Sequence, residues 1–228
     1  MKKKEWLRWT AIVVLFIVSL ALIFNQQIKY YLVGTYHPRI TQQTVQKNNQ
    51  KKAKYDFSNV QDLNLQSVAR ARARRQSINV IGVISIPAIK MSVPIGKGVD
   101  NNTLALAAGT MRADQQMGEG NYALAGHNMA HGSRILFSPL YYDAKVGQKI
   151  YLTDMTKVYE YRITQRQFID ATRVDVVDNT PEKIVTLITC NKTGSRRLMI
   201  RGAFVKAMKF KQAPTKVQKS LSQGYTNH

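Results

Sequence analysis

The chain has 228 residues, 44% of them hydrophobic. That supplies one domain of about 150 residues with a true core plus flanking segments, and too little for a second full domain. Thirty-four Lys and Arg stand against thirteen Asp and Glu, a net charge of +21, so the surface favours an anionic partner such as nucleic acid, phospholipid headgroups or an acidic polymer, and charge alone does not choose among them. The single cysteine, Cys190, excludes an intramolecular disulfide and leaves stability to the core.

Residues 1–8 place Lys2, Lys3, Lys4 and Arg8 ahead of an uncharged stretch, 9–28, dominated by Ala, Ile, Val, Leu and Phe. At a helical rise of about 1.5 Å per residue, about twenty such residues span about 30 Å, the thickness of a bilayer's hydrocarbon core. We read a single-pass transmembrane anchor. Positive charge before it predicts a cytoplasmic amino terminus and an extracellular domain after Lys29. The competing reading is a cleaved signal peptide. Ser19 and Ala21 have the small side chains of a cleavage site, but they lie inside the apolar run, with Leu22, Ile23 and Phe24 following, which favours an uncleaved anchor. An outward-facing domain meets lipid headgroups and anionic wall polymers, so nucleic acid is not expected as a partner.

Residues 29–54 are rich in Gln, Asn and Lys without apolar periodicity and read as a juxtamembrane stalk. Over 56–75, Phe57, Val60, Leu63 and Val68 fall near helical spacing, Asp56 and Ser58 are candidate caps, and Arg70, Arg72, Arg74 and Arg75 collect where the helix dipole favours cations. The pattern predicts an amphipathic helix opening a folded region over 55–206. After Ser77, short apolar runs alternate with turn residues: 80–86, 91–95, 121–126, 148–153, 158–169, 183–190 and 197–206. Seven or eight short strands in about 130 residues mean a mainly β domain, a sandwich or a closed barrel. Residues 101–108 and 139–144 are candidate short helices. The tail, 207–228, is basic, lacks a periodic apolar face, and reads as a mobile end.

The stretch 183–190, KIVTLITC, is an apolar β-branched strand that ends on the cysteine, beside the Gly194 turn. A lone cysteine is often a small buried hydrophobe. As a nucleophile it needs a base or a cation nearby, because an ordinary thiol with a pKa of about 8.5 is largely protonated at neutral pH. Of the four histidines, His37 lies in the stalk and His228 is the last residue, leaving His127 and His131. His127 ends the strand-like NYALAGH, where Gly126 is expected to let the backbone turn, and it is placed to face Cys190 from a neighbouring strand. Arg196 and Arg197 open the next strand at hairpin distance from Cys190. Antiparallel pairing returns one of them beside the thiol, where a guanidinium stabilises a thiolate or a developing oxyanion.

TLITC at 186–190, GHN at 126–128 and an Arg opening the following strand, with AGHNM, the FSPL of 137–140 and the KIYLTD of 149–154, resemble the class A sortases of Gram-positive bacteria. The resemblance runs from about Tyr55 to Lys206. It implies an eight-stranded β-barrel and a cysteine transpeptidase that cleaves an LPxTG-type sorting signal between Thr and Gly, holds the Thr as a thioester, and passes it to an amine on the wall precursor lipid II. Carried over residue by residue, Cys190 is the nucleophile and His127 the acid and base. Arg197, which directly precedes the apolar LMIRG, binds substrate and stabilises the oxyanion. Thr189 adds a hydroxyl or backbone donor to the same oxyanion, and Val174, Val176 and Val177 supply apolar wall for the signal's Leu and Pro. No cofactor and no metal is implied.

In calcium-responsive class A members the loop before the histidine strand carries several carboxylates. Here 112–119 offers Asp114 and Glu119 beside Arg112, a poor calcium cage, so calcium-independent activity is expected. Pilus-building class C relatives carry a lid and a second membrane segment, neither of which is recognised in this sequence, which favours a housekeeping anchoring role. Two other readings stand beside this one. His127, His131 and Cys190 could hold a metal, but there is no Glu after the first His, and Gly126 and Gly132 argue against a helix presenting both rings. The second is a non-enzymatic envelope-binding module whose basic surface holds anionic wall polymers, with Cys190 structural.

Overall fold

The apolar runs become eight strands, β1 (Val80–Ile86), β2 (Met91–Gly96), β3 (Ala108–Thr110), β4 (Asn121–Ala125), β5 (Lys149–Thr153), β6 (Lys157–Asp170), β7 (Ile184–Cys190) and β8 (Arg196–Lys209), in a computed structural model that describes residues 2–57, 60–75, 78–129, 134–191 and 193–222. They close into a barrel in the order β1-β2-β3-β4-β7-β8-β6-β5, with β5 pairing back onto β1. This is the expected eight-stranded barrel. Its unforeseen member, β3, is the tripeptide Ala-Gly-Thr, too short to carry a readable alternation.

β1 is buried along its whole length, which is why its sequence, VIGVISI, shows no polar alternation. Ile84 and Ile86 pack into the main core, whereas Val83, on the opposite face of the strand, joins Tyr151, Val158, Val217 and Leu221 in a second cluster. The cover on that second face corrects the tail reading. Residues Thr215–Ser222 form a helix, α7, and its Val217 and Leu221, four apart on one face, are buried. Two apolar residues in eight are too few to register as a periodic face, yet they are enough to close this side of the barrel.

The amino-terminal half needs three more corrections. Helix α1 (Lys2–Ile23) contains a span, Lys3–Ile23, long and apolar enough to cross a membrane. Its bounds differ from the expected 9–28: α1 ends at Ile23, and Phe24, whose amide still donates to the Leu20 carbonyl and whose carbonyl accepts from the Ile28 amide, both at 2.9 Å, joins it to α2 (Asn25–Gly34). The stalk is not structureless: α2 is followed by α3 (Gln42–Asn49), which Thr41 and Thr44 cap reciprocally. Val45 of α3 is buried, Asn48 donates to the carbonyl of Val80 at 2.9 Å, and Lys97 donates to the carbonyls of Asn49 and Lys51. One buried valine per short helix leaves no periodicity in the sequence.

The helix expected over 56–75 is confined to α4 (Leu65–Ala73). Its start is set by Asn64, whose side chain accepts from the Ser67 amide at 2.8 Å while the Ser67 hydroxyl accepts from the Asn64 amide. Asp56 lies outside the helix, and Ser58 falls outside the described residues. The two short helices are present as α5 (Asn101–Leu106) and α6 (Ser138–Asp143).

Candidate active site

Two strand pairings assemble the site. β4 and β7 run parallel, with Asn121 opposite Ile184 and Ala125 opposite Ile188, so their carboxyl ends lie together at one rim of the barrel. The ladder continues past the last strand pair. The Gly126 amide donates to the Ile188 carbonyl at 3.0 Å, the Thr189 hydroxyl donates to the Gly126 carbonyl at 2.7 Å, and the Asn128 amide group donates to the Cys190 carbonyl at 3.0 Å. His127 is thereby held level with Cys190. β7 and β8 form the second pairing, an antiparallel hairpin in which Cys190 stands opposite Arg197.

Alternation along β8 separates the two candidate arginines. Arg196 turns away, donating to the Phe168 carbonyl at 2.8 Å and lying 3.9 Å from the Asp170 carboxylate. Arg197 lines the same cleft as Cys190 and His127, and its guanidinium donates to the Gly194 carbonyl at 2.8 Å. Gly194 holds a positive φ of 75°, the left-handed conformation that the tight β7–β8 turn requires. Gly126 serves differently from the expectation. Its φ is not positive; instead, a Cβ there would lie 2.7 Å from the ring of buried Phe137. The glycine is needed for close packing beside His127.

The cleft has a volume of about 460 Å3. Val174, Val176, Val177 and Thr189 line it along with Cys190, His127 and Arg197, so the structure brings together the residues that the sortase resemblance implied. Their environments differ. Val174 is 73% exposed on the rim, while Val176 is 7% exposed and packs on Ile169, Ile188 and Met199. Thr189 is buried with its hydroxyl committed to the Gly126 carbonyl, so that hydroxyl is not a free oxyanion donor. His131 and His228 lie outside the described residues.

Burial sets the electrostatics. It pushes the Cys190 thiol up, against the pull of the Arg197 cation, and the Asp62 carboxylate adds to the rise. It pushes the His127 imidazole below its ordinary value, and Asp62 opposes that fall. At neutral pH both groups therefore favour their uncharged forms, and the thiolate–imidazolium pair is a minority species. Asp62, with Phe57, Val60 and Gln61, lines the mouth of the cleft. Sequence reasoning assigned this segment to a helix and missed it as part of the site. Asn128 was also missed, although it stands inside the GHN motif that named its neighbour.

A family model described as Sortase domain matches residues 84–205, more than half of the chain. The chain belongs to the sortase family. This sortase is 38% identical over 232 residues to Sortase A of Streptococcus agalactiae serotype III (strain NEM316), covering 97% of its own chain and 94% of that relative. It is 41% identical over 193 residues to Sortase A of Listeria monocytogenes serovar 1/2a, covering 82% and 85%. Among solved structures it resembles sortase A of Listeria monocytogenes at 39% identity and a TM-score of 0.58, with 63% of this chain and 97% of that one covered. The sortase is accordingly a cysteine transpeptidase, and the reading as a non-enzymatic envelope module gives way to an enzyme.

Proposed function

We propose that this sortase cleaves an LPxTG-type sorting signal between Thr and Gly and transfers the severed surface protein to an amine of lipid II or peptidoglycan. Cys190 is the nucleophile, His127 the proton carrier, and Arg197 the cation at the reacting carbonyl. One observation carries this reading: three separate strand ends deliver Cys190, His127 and Arg197 to a single cleft. The thiolate attacks the Thr carbonyl carbon, and negative charge builds on its oxygen beside the Arg197 guanidinium. As the Thr–Gly C–N bond breaks, His127 gives its proton to the departing Gly amine, leaving a Thr thioester on Sγ. The incoming amine then attacks the thioester carbon, His127 takes the amine's proton, and the Cys190 sulfur leaves as the thiolate, restoring the starting pair.

Thr189 supports this chemistry by position, because its hydroxyl fastens the Cys190 strand to the turn before His127. Val174, Val176 and Val177 form the apolar wall for the signal's Leu and Pro. The anchor places the amino terminus in the cytoplasm and the barrel outside, next to surface-protein substrates and the wall precursor. Activity does not depend on calcium. Asp114, one of the two carboxylates of the loop before β4, is paired with Arg112 at 3.0 Å, which works against cation capture there.

The test is transfer of a labelled LPxTG peptide to a small amine by the purified chain, with and without calcium. The unmodified chain should form the amide product equally in both conditions. Cys190→Ala and His127→Ala should each lower transfer by at least about a thousandfold. Transfer that survives Cys190→Ala sinks the proposal, and a several-fold stimulation by calcium sinks its last part.

A further inference from the structure

The segment joining β6 to β7, residues 171–183, contributes Arg173, Val174, Val176, Val177 and Asp178 to the cleft wall. Its regular structure is one short 3-10 turn, Asp175–Val177. A connection of this length with so little structure of its own is ordinarily loose unless other elements hold its backbone. Here three successive carbonyls are held by side chains from outside the segment. The Val176 carbonyl accepts from the Asn121 amide group at 3.0 Å and from Arg201 at 3.1 Å, the Val177 carbonyl accepts from Arg112, and the Asp178 carbonyl accepts from Asn121 at 2.9 Å.

The donors are themselves fixed. Arg112 spreads its guanidinium over four partners: the Asp114 carboxylate, the Asn121 carbonyl, the Val177 carbonyl and the Asn179 side-chain oxygen. Asn121 is fully buried at the start of β4, and its side-chain oxygen accepts from the Thr186 hydroxyl of β7 at 2.7 Å. The same strand pair that carries His127 and Cys190 at its carboxyl ends thus carries, at and beside its amino end, the anchor of the cleft wall. A flexible side chain without a fork could not satisfy four acceptors lying in these directions.

We propose that Arg112 and Asn121 form a clamp that sets the β6–β7 wall in its peptide-binding shape before substrate arrives, with Arg112 as a positioning residue for sorting-signal recognition. The proposal rests on the sorting-peptide reading given above. If the wall is competent only part of the time, apparent affinity falls by that fraction, while the chemistry of bound peptide is untouched. Arg112→Gln should raise KM for the LPxTG peptide about tenfold, with kcat and the rate of Cys190 alkylation by a small thiol reagent staying within about twofold. Amide hydrogen exchange over 174–179 should quicken in the same variant.

Arg112→Lys, which keeps the charge and loses the fork, should shift KM in the same direction. Asn179→Ala, at an exposed position that removes an acceptor from the clamp, provides a milder second variant. An unchanged KM with unchanged exchange in Arg112→Gln overturns the proposal. So does a parallel fall of kcat and alkylation, which would mark Arg112 as a general support of the fold. If the unaltered chain does not turn over the peptide, the substrate reading fails by itself. The exchange comparison then decides the clamp, and unchanged exchange over 174–179 overturns it.

Discussion

A thiol pushed up by burial beside an imidazole pushed down by burial, with the Arg197 guanidinium and the Asp62 carboxylate acting on the thiol, makes the chemistry depend on a minority charge state. The reactive pair is thiolate with imidazolium, so its population is bell-shaped in pH, with limbs at the His127 and Cys190 pKa values. Asp62 raises both values. Removing its charge lowers both, and the whole bell should move to lower pH in Asp62→Asn; a pH profile of kcat/KM that keeps its position contradicts the electrostatic role given to Asp62. Cys190 was legible as the lone thiol ending an apolar strand and His127 because it closes an apolar run, whereas hairpin counting offered Arg196 and Arg197 equally; the likeness to the sortase pattern favoured Arg197, which the register places opposite Cys190. Asp62 was not legible. It reaches the site through an extended stretch with no pattern, far from Cys190 in the chain, and helical spacing of its apolar neighbours pointed the wrong way.

At the scale of elements, strands were read well and short helices poorly, for a common physical reason. A strand buried on both faces, such as β1 or β7, writes its burial as a continuous apolar run. An eight-residue helix that buries only two residues, such as α7, writes almost nothing. α7 nonetheless covers the outer face of β1 and β5 through Val217 and Leu221. Leu221→Ala should destabilise the barrel by about 2–4 kcal/mol, read as a fall of several degrees in the thermal midpoint; an unchanged midpoint would show that α7 is not docked. The turn into His127 makes a second element-scale case. Gly126→Ala drives a methyl group into the Phe137 ring and should cost about 1–3 kcal/mol together with a large loss of transfer, because the shift falls beside the imidazole. Full activity in Gly126→Ala would mean the close packing does not position His127.

For the whole molecule, the organising fact is a barrel rim joined to an apolar helix. α1 has a 21-residue span that meets the length and composition for crossing a bilayer, and the formal charge of +21 favours anionic partners. The full chain should stay with the membrane pellet through an alkaline wash. Lysines at both Val14 and Phe16, each costing about 2.5–3.5 kcal/mol at the helix centre, should release it; retention of that double variant would place the attachment elsewhere. The most direct test of the central claim, that Cys190 carries the cleaved signal, is the intact mass of the chain after incubation with an LPxTG peptide and no acceptor amine. The account predicts an adduct of the peptide up to its Thr, mapped to Cys190 and released by hydroxylamine. An unmodified chain beside intact peptide, or an adduct that persists in Cys190→Ala, would contradict it.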